Sequence, residues 1–393
     1  MYLNEFKSNL FTFLPLFGII SKNNVVIGGI LMGEIVRRRI TTDELEIGMI
    51  VTEDVITPSG ILLIPAYTIL TNRHIFRMQL YQVLSVVIKV NLNNQNVNDD
   101  DSDEQTLEVT RVQPNFKEFQ TSYHECSSMI KSQLDSISKG SDIDITELYS
   151  LSTSMISSLN TSSDLFNYLH HLKIHDDYTY YHCLNVSLLC NIFGTWLNLD
   201  NETLKNLTIS GLLHDIGKLS IDLDVLNKPG KLTESEFALI KNHTILGYEM
   251  VKESPLPESV KLGILMHHEK YDGSGYPYGL KMDQIHMFGK IIAIVDIYDA
   301  MTSDRSYHKR FSPFKVIRMF EQEAYGVLDT YLLLKFLKNI ADNYVGCTAK
   351  LSNGQMGKIV FISSKSPSRP IVQLDGSMVD MQREHNLEII EVL

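Results

Sequence analysis

Asp296 closes a strongly apolar run, Ile291-Ile292-Ala293-Ile294-Val295. A carboxylate buried there without a partner would cost several kcal/mol or give up its charge. A metal ion is the least costly partner for it. The same difficulty recurs at His214-Asp215, which follow Ser210-Gly211-Leu212-Leu213 at the end of another buried-looking helix. The chain must therefore fold so that polar groups set in apolar helices meet one another.

The histidines and aspartates are spaced to allow this. His182 lies in YTYYHCLNVSLLC, and His214-Asp215 lie 32 residues on, in GLLHDIGK. His243 follows 29 residues later, and His267-His268 begin 24 beyond that. Asp296 comes 28 after His268. Each sits on a different predicted helix or helix end, an arrangement by which helical bundles build metal sites. Imidazole and carboxylate suit Fe, Mn, Zn or Co. Five imidazoles and two aspartates exceed one ion's needs and suit two ions sharing a bridging carboxylate. Neighbouring helical residues point about 100° apart, so a doublet can address two ions. A lone histidine on an apolar helix is usually a satisfied core residue, and HH or HD doublets arise by chance. The argument rests on all seven positions together. His74, His124, His170, His171, His175, His286, His308 and His385 are read as surface or structural.

From about Pro114 to Ala341 the pattern is helical nearly throughout, with stretches at 115–138, 143–159, 177–198, 202–217, 233–251, 257–269, 287–302 and 313–340. Thr233 and Glu236 form a capping-box pattern, and Ser312-Pro313 begin a helix. The expected class is mainly α: a helical domain at 113–343, a small mixed α/β domain at 41–92 and a small β domain at 344–393. In the last, Ser352-Asn353-Gly354 and Asp375-Gly376 are turn signals between runs such as Lys358–Ile362 and Pro370–Leu374. Residues 93–112 read as a disordered linker, because the stretch NLNNQNVNDDDSDEQT carries five acidic residues and no aromatic. Residues 1–40 are a leader. Its apolar run Leu10–Ile20 is too short for ~30 Å of hydrocarbon, and Met32 is a candidate true start.

Charge and cysteine narrow the function classes. Lys plus Arg number 35 against 47 Asp plus Glu, a net charge of −12. Such a surface disfavours polymeric nucleic acid, which wants a basic stripe, but not a small anion held by metal. Cys126, Cys183, Cys190 and Cys347 form no CxxC pair, and a reducing cytoplasm is the expected setting.

The order HD…NKPGKLT…H…HHEKYDGSGYP…D resembles the HD-GYP family of cyclic di-GMP phosphodiesterases, over about residues 174–310. His214 and Asp215 match the HD pair; Gly275-Tyr276-Pro277 match the GYP. The resemblance implies an HD-type helical bundle and two divalent ions, Fe or Mn, bridged by Asp215 and a hydroxide. It places His182, His214 and Asp296 on one ion and His243, His267 and His268 on the other. Some members add a glutamate four residues before the first histidine; here that position is Tyr178, so no Glu-assisted third ion is expected. The substrate implied is cyclic di-GMP, linearised to pGpG and onward to GMP. Lys218, four residues after His214, is the expected catalytic partner of Asp215, contacting phosphate and assisting the leaving oxygen. Arg305 matches a family arginine that meets guanine; an arginine fork grips O6 and N7. Lys309 adds charge, Asp299 accepts from the base edge, and His308 stands where some members carry lysine. Gly273 and Gly275 permit unusual backbone angles in the GYP segment, which shapes the pocket wall or meets protein partners. Homodimerisation through 115–159 is a further expectation. Two other readings stand beside the first: a hydrolase of cyclic GMP-AMP, and a receptor that binds the dinucleotide or a partner without turnover.

Overall fold

The computed structural model describes residues 35–57, 60–91, 114–157, 159, 162–172, 178–226, 233–303 and 310–393. The leader up to residue 34 and the acidic linker from 92 to 113 lie outside the described residues.

The N-terminal domain is built on two antiparallel pairs. Strand β1 (Ile35–Thr41) pairs with β4 (Ser85–Asn91), and β2 (Val55–Ile56) with β3 (Leu62–Ile64). β1 starts at Ile35, ahead of the expected boundary at 41. Helix α1 (Asn72–Leu80) is capped by Thr71 and buries Ile75, Phe76, Met78 and Leu80.

The helical domain runs through α2 (Pro114–Ser138), α3 (Ile145–Ser157), α4 (Ser162–His171), α5 (Tyr178–Trp196), α6 (Asn201–Leu213), α7 (Leu223–Leu226), α8 (Glu234–Lys241), α9 (His243–Val251), α10 (Glu258–Met266), α11 (Met287–Thr302), α12 (Pro313–Glu323) and α13 (Thr330–Asp342). α5 and α11 are apolar on nearly every face because they form its centre. α5 packs along α6 and α11, and α10 lies against α6, α9 and α11. Ile291, Ile292, Ile294 and Val295 are fully buried, each worth about 1.5–3 kcal/mol of removal from water. That apolar surround is what carries Asp296 inward.

Three expected helices are divided. The 202–217 segment ends as an α-helix at Leu213 and tightens into a 3-10 turn over Ile216–Ser220. The 233–251 segment breaks at Asn242, while its capping box forms: Thr233 Oγ1 accepts from Glu236 N at 3.2 Å. The 313–340 segment is interrupted between Ala324 and Asp329. Gly326 turns there at φ +80°, and Asp329 caps the next helix by accepting from Leu332 N at 3.1 Å. α4 was not expected from the periodicity.

The C-terminal strands β5 (Thr348–Leu351), β6 (Met356–Ser363), β7 (Ser366–Leu374), β8 (Ser377–Asp380) and β9 (Ile389–Val392) form one antiparallel sheet ordered β8-β7-β6-β5-β9. The sheet closes on α12. Ser312 Oγ donates to Ile389 O at 2.7 Å, and Glu321 Oε1 accepts from Ser368 N at 3.2 Å. Among the described residues, no helix is long and apolar enough to cross a membrane.

Candidate metal centre

Five helices, through their faces or their ends, bring all seven expected ligands to one point. His182 comes from α5. His214 and Asp215 follow the last turn of α6, and His243 opens α9. His267 and His268 follow α10, and Asp296 lies on α11. His214, Asp215, His243 and His267 are at most 2% exposed. Asp215 is at the middle. Its Oδ2 lies 3.3 Å from His214 Nε2 and 3.8 Å from His182 Nε2; its Oδ1 lies 3.3 Å from His243 Nε2 and 3.8 Å from His267 Nε2. Asp296 Oδ1 is 3.1 Å from His182 Nε2, and its Oδ2 is 3.9 Å from His268 Nδ1.

The rings are set by what lies behind them. Nδ1 of His214 meets Gly211 O at 2.8 Å, that of His243 meets Ile240 O at 2.7 Å, and that of His267 meets Ile264 O at 2.7 Å. Nδ1 of His182 meets Asp299 Oδ2, also at 2.7 Å. A carbonyl or carboxylate there takes Nδ1–H, so each of the four rings, in the neutral form a ligand needs, turns a bare Nε2 toward Asp215. The result is acceptor facing acceptor: His243 Nε2 and His267 Nε2 stand 3.2 Å apart. His214 Nε2 and Asp215 Oδ1 are sealed from water without a hydrogen bond. Lone pairs converging in a dry pocket are unfavourable until a cation lies among them. The donors present therefore fit a divalent metal. Two groups can hold one: Asp215 with His243, His267 and His268, and Asp215 with His182 and His214. Asp215 belongs to both.

The electrostatics agree with that fit. Burial alone would raise the Asp215 pKa, yet Lys218 and the surrounding histidines hold it well below the usual carboxylate range. Burial and the neighbouring histidines push His267 and His268 well below the usual imidazole range, keeping both rings neutral as ligands must be. Burial also presses His182 downward, but Asp296 and Asp299 outweigh it and bring its pKa up to about 9, marking a spot that attracts positive charge.

Lys218 reaches the centre by a different route from the one expected. The α-helix does not continue past His214; the 3-10 turn swings Lys218 back so that its Nζ donates to Asp215 Oδ2 at 2.6 Å. Asp299 is not exposed, as a base-edge acceptor would be. It is 2% exposed, with Oδ2 on His182 and Oδ1 accepting from Asn185 Nδ2 at 2.8 Å and Ser303 Oγ at 3.0 Å. Helical spacing carried it inward: it lies one turn after Asp296, behind the same histidine. Its position orients His182. Asp299→Ala is accordingly expected to weaken Mn²⁺ binding by about 10–100-fold; a chelator-competition titration matching the wild type would contradict this. Arg305, Lys309 and His308 lie outside the described residues.

The GYP segment forms one wall. Glu269 accepts from Tyr278 N at 2.8 Å and Leu280 N at 2.9 Å, tying the loop back to the His267-His268 turn. The Tyr276 ring packs on His268 with centroids 4.8 Å apart. Gly273 takes φ +83°, as its backbone role demands. Gly275 serves a different need: a Cβ there would stand 2.4 Å from His268 O and Lys270 N. Lys270 was not singled out by the sequence. It is buried, its Nζ makes no hydrogen bond, and burial brings its pKa down to about 8.

A sequence profile described as "HD domain" matches residues 153–331. The chain is 35% identical over 204 residues to "Cyclic di-GMP phosphodiesterase PA4108" of Pseudomonas aeruginosa, covering 52% of this chain and 49% of that protein. It is 34% identical over 177 residues to "3'3'-cGAMP-specific phosphodiesterase 1" of Vibrio cholerae, covering 42% of this chain and 39% of that one. The chain thus spans about half the length, or less, of these curated relatives. Among solved structures it is similar to "Bd1817, a HDG"Y"P protein from Bdellovibrio bacteriovorus", at 14% identity and TM-score 0.44, covering 77% of this chain and 98% of that one. Residues 153–331 thus match the HD domain profile, and the HDIGK and DGSGYP segments inside that stretch meet at the centre.

Proposed function

We propose that the chain is a metal-dependent cyclic dinucleotide phosphodiesterase that opens cyclic di-GMP to pGpG and onward to GMP. The observation that carries this reading is Asp215, shared by two ligand groups, with the Lys218 ammonium beside it. Two divalent ions, Fe or Mn, are the proposed occupants: His182, His214 and Asp296 would hold one, His243, His267 and His268 the other, with Asp215 between them. Bound there, such ions neutralise phosphate charge and bring the pKa of a water to about 7.

The chain's own groups do the rest. Asp299 keeps His182 in the right tautomer. Tyr276 and the loop tied by Glu269 wall off the His268 side from solvent. Lys218 holds a proton at Nζ: burial pulls its pKa down, but Asp215 more than compensates and the net direction is upward. Its side chain is partly exposed, so it can meet an incoming phosphate and protonate the departing sugar oxygen. Arg305 and Lys309 belong to the proposal as guanine contacts. The four cysteines are all free thiols, which fits the proposed cytoplasmic setting.

Lys218→Met is expected to lower kcat by about 10²–10⁴-fold, the usual worth of a positioned proton donor. Metal content should change far less, and wild-type turnover in that variant would defeat the role. A second substrate, cyclic GMP-AMP, is favoured by the relative named for it. The deciding experiment is anaerobic purification with metal quantitation, then product chromatography on cyclic di-GMP and 3'3'-cGAMP. Linear product from the first alone supports the proposal. Product from the second alone transfers it to that substrate. Tight binding with both ligands left intact supports a receptor.

A further inference from the structure

His268 differs from the other four histidines of the centre in where its Nδ1 finds a partner. His182, His214, His243 and His267 are each backed by an acceptor within the helical domain. The Nδ1 of His268 is met instead by the side-chain amide of Gln82, through its Nε2, and Gln82 belongs to the N-terminal domain. Gln82 follows α1 in the left-handed region, at φ +54°. A non-glycine residue there gives up about 1–2 kcal/mol, and such strain is retained where the side chain has work to do.

The domain is fastened so as to deliver this side chain. Phe76 packs edge-on to Phe320 of α12, with centroids 5.3 Å apart, and Phe76 and Leu80 are buried in the core of the helical domain. Arg73 and Arg77 both pair with Glu323, at the end of α12. Tyr81 packs against the cores of both domains. Gln82 is the next residue, so its reach to the centre is set by that docking.

We propose that Gln82 is a positioning residue acting across the domain interface: with its carboxamide turned end for end, so that Oε1 takes the place of Nε2, it accepts Nδ1–H of His268 and so fixes that ring for metal binding through Nε2. The inference rests on the metal reading of the centre. A carboxamide carries a donor and an acceptor on one carbon, and the ring selects between them. A ring that ligates through Nε2 bears its proton on Nδ1 and takes the oxygen. Gln82 then does for His268 what Asp299 does for His182. Metal affinity and domain docking become linked, because ordering the ring in one requires the other.

The test uses the full chain and Mn²⁺, read as free ion by electron paramagnetic resonance. Gln82→Ala should weaken Mn²⁺ binding by about 10–100-fold, as loss of an outer partner does. Gln82→Glu, which can only accept, should restore it. The double variant Arg73→Glu/Arg77→Glu should weaken it too, although neither residue touches the centre. Unchanged binding in Gln82→Ala overturns the proposal; tighter binding overturns it and makes Gln82 a plug. A second measurement needs neither metal nor hydrolysis, so its failure is separable from failure of the proposed activity. In ¹⁵N-histidine spectra of the metal-free chain, His268, assigned by its own substitution, should be the Nδ1–H tautomer in the wild type and Gln82→Glu. It should be a mixture in Gln82→Ala. An Nε2–H wild-type ring sinks the idea.

Discussion

Asp215→Asn is expected to abolish metal retention at both ligand groups and to cut phosphodiester hydrolysis by at least about 10³-fold, ~4 kcal/mol of barrier. The reason is geometric. One oxygen faces His214 and His182, the other faces His243 and His267, each pair within 3.3–3.8 Å. The amide keeps the volume but replaces one oxygen with an NH₂ group that points hydrogens at whichever cation it faces. Any other ligand change touches one group alone; this one also takes from both groups the negative charge they share. Metal quantitation and product chromatography on the purified variant check the expectation, with circular dichroism confirming that the helices persist. A variant with the full wild-type metal content would mean that Asp215 is no bridge.

The second large effect is expected at a residue with no functional group. Gly217, in HDIGK, packs the 3-10 turn against α9. A Cβ added there would lie 1.9 Å from His243 O and 2.5 Å from Gly247 N. Those are backbone atoms and cannot swing aside. Gly217→Ala must therefore push the turn away from α9, and with it His214 and Asp215 away from His243. Overpacking of this kind costs about 1–3 kcal/mol, and here the displacement separates the ligands themselves. The melting temperature should fall and Mn²⁺ affinity with it. An alanine variant that melts and titrates like the wild type would show that the turn has slack not visible in its packing.

These two residues mark how far the sequence could be read. The seven candidate ligands stood out because titratable groups in apolar helices pose a problem of charge that only convergence solves. The periodicity gave α5, α10 and α11, since each fills a core and each has a cap or turn signal near its end. The sheet at 348–392 was legible from its turn residues, Gly354 and Gly376, both at positive φ. What escaped was the non-local part. Nothing in GLLHDIGK says that the α-helix tightens at Ile216, because the cause is α9 pressing on Gly217. Asp299 looked like a base contact because a sequence gives spacing along a helix but not the neighbour across from it. The division of 313–340 was within reach: Gly326 and Asp329 are a stop and a start signal in a row. Gln82 carried no signal at all, since its partner lies far along the chain, at residue 268.

Helix α12 bears on more than the centre. One end and face hold Phe76 and the two arginines of the N-terminal domain, and another carries the sheet through Ser312 and Glu321. The apolar interior accordingly runs unbroken from Phe76 through the bundle to Val392. Parts of three regions that look separable on paper share this interior, beside a smaller core that belongs to the N-terminal domain itself. Excising either flank would lay bare part of the middle, and the helical portion of this chain is not a cassette that can be lifted out intact.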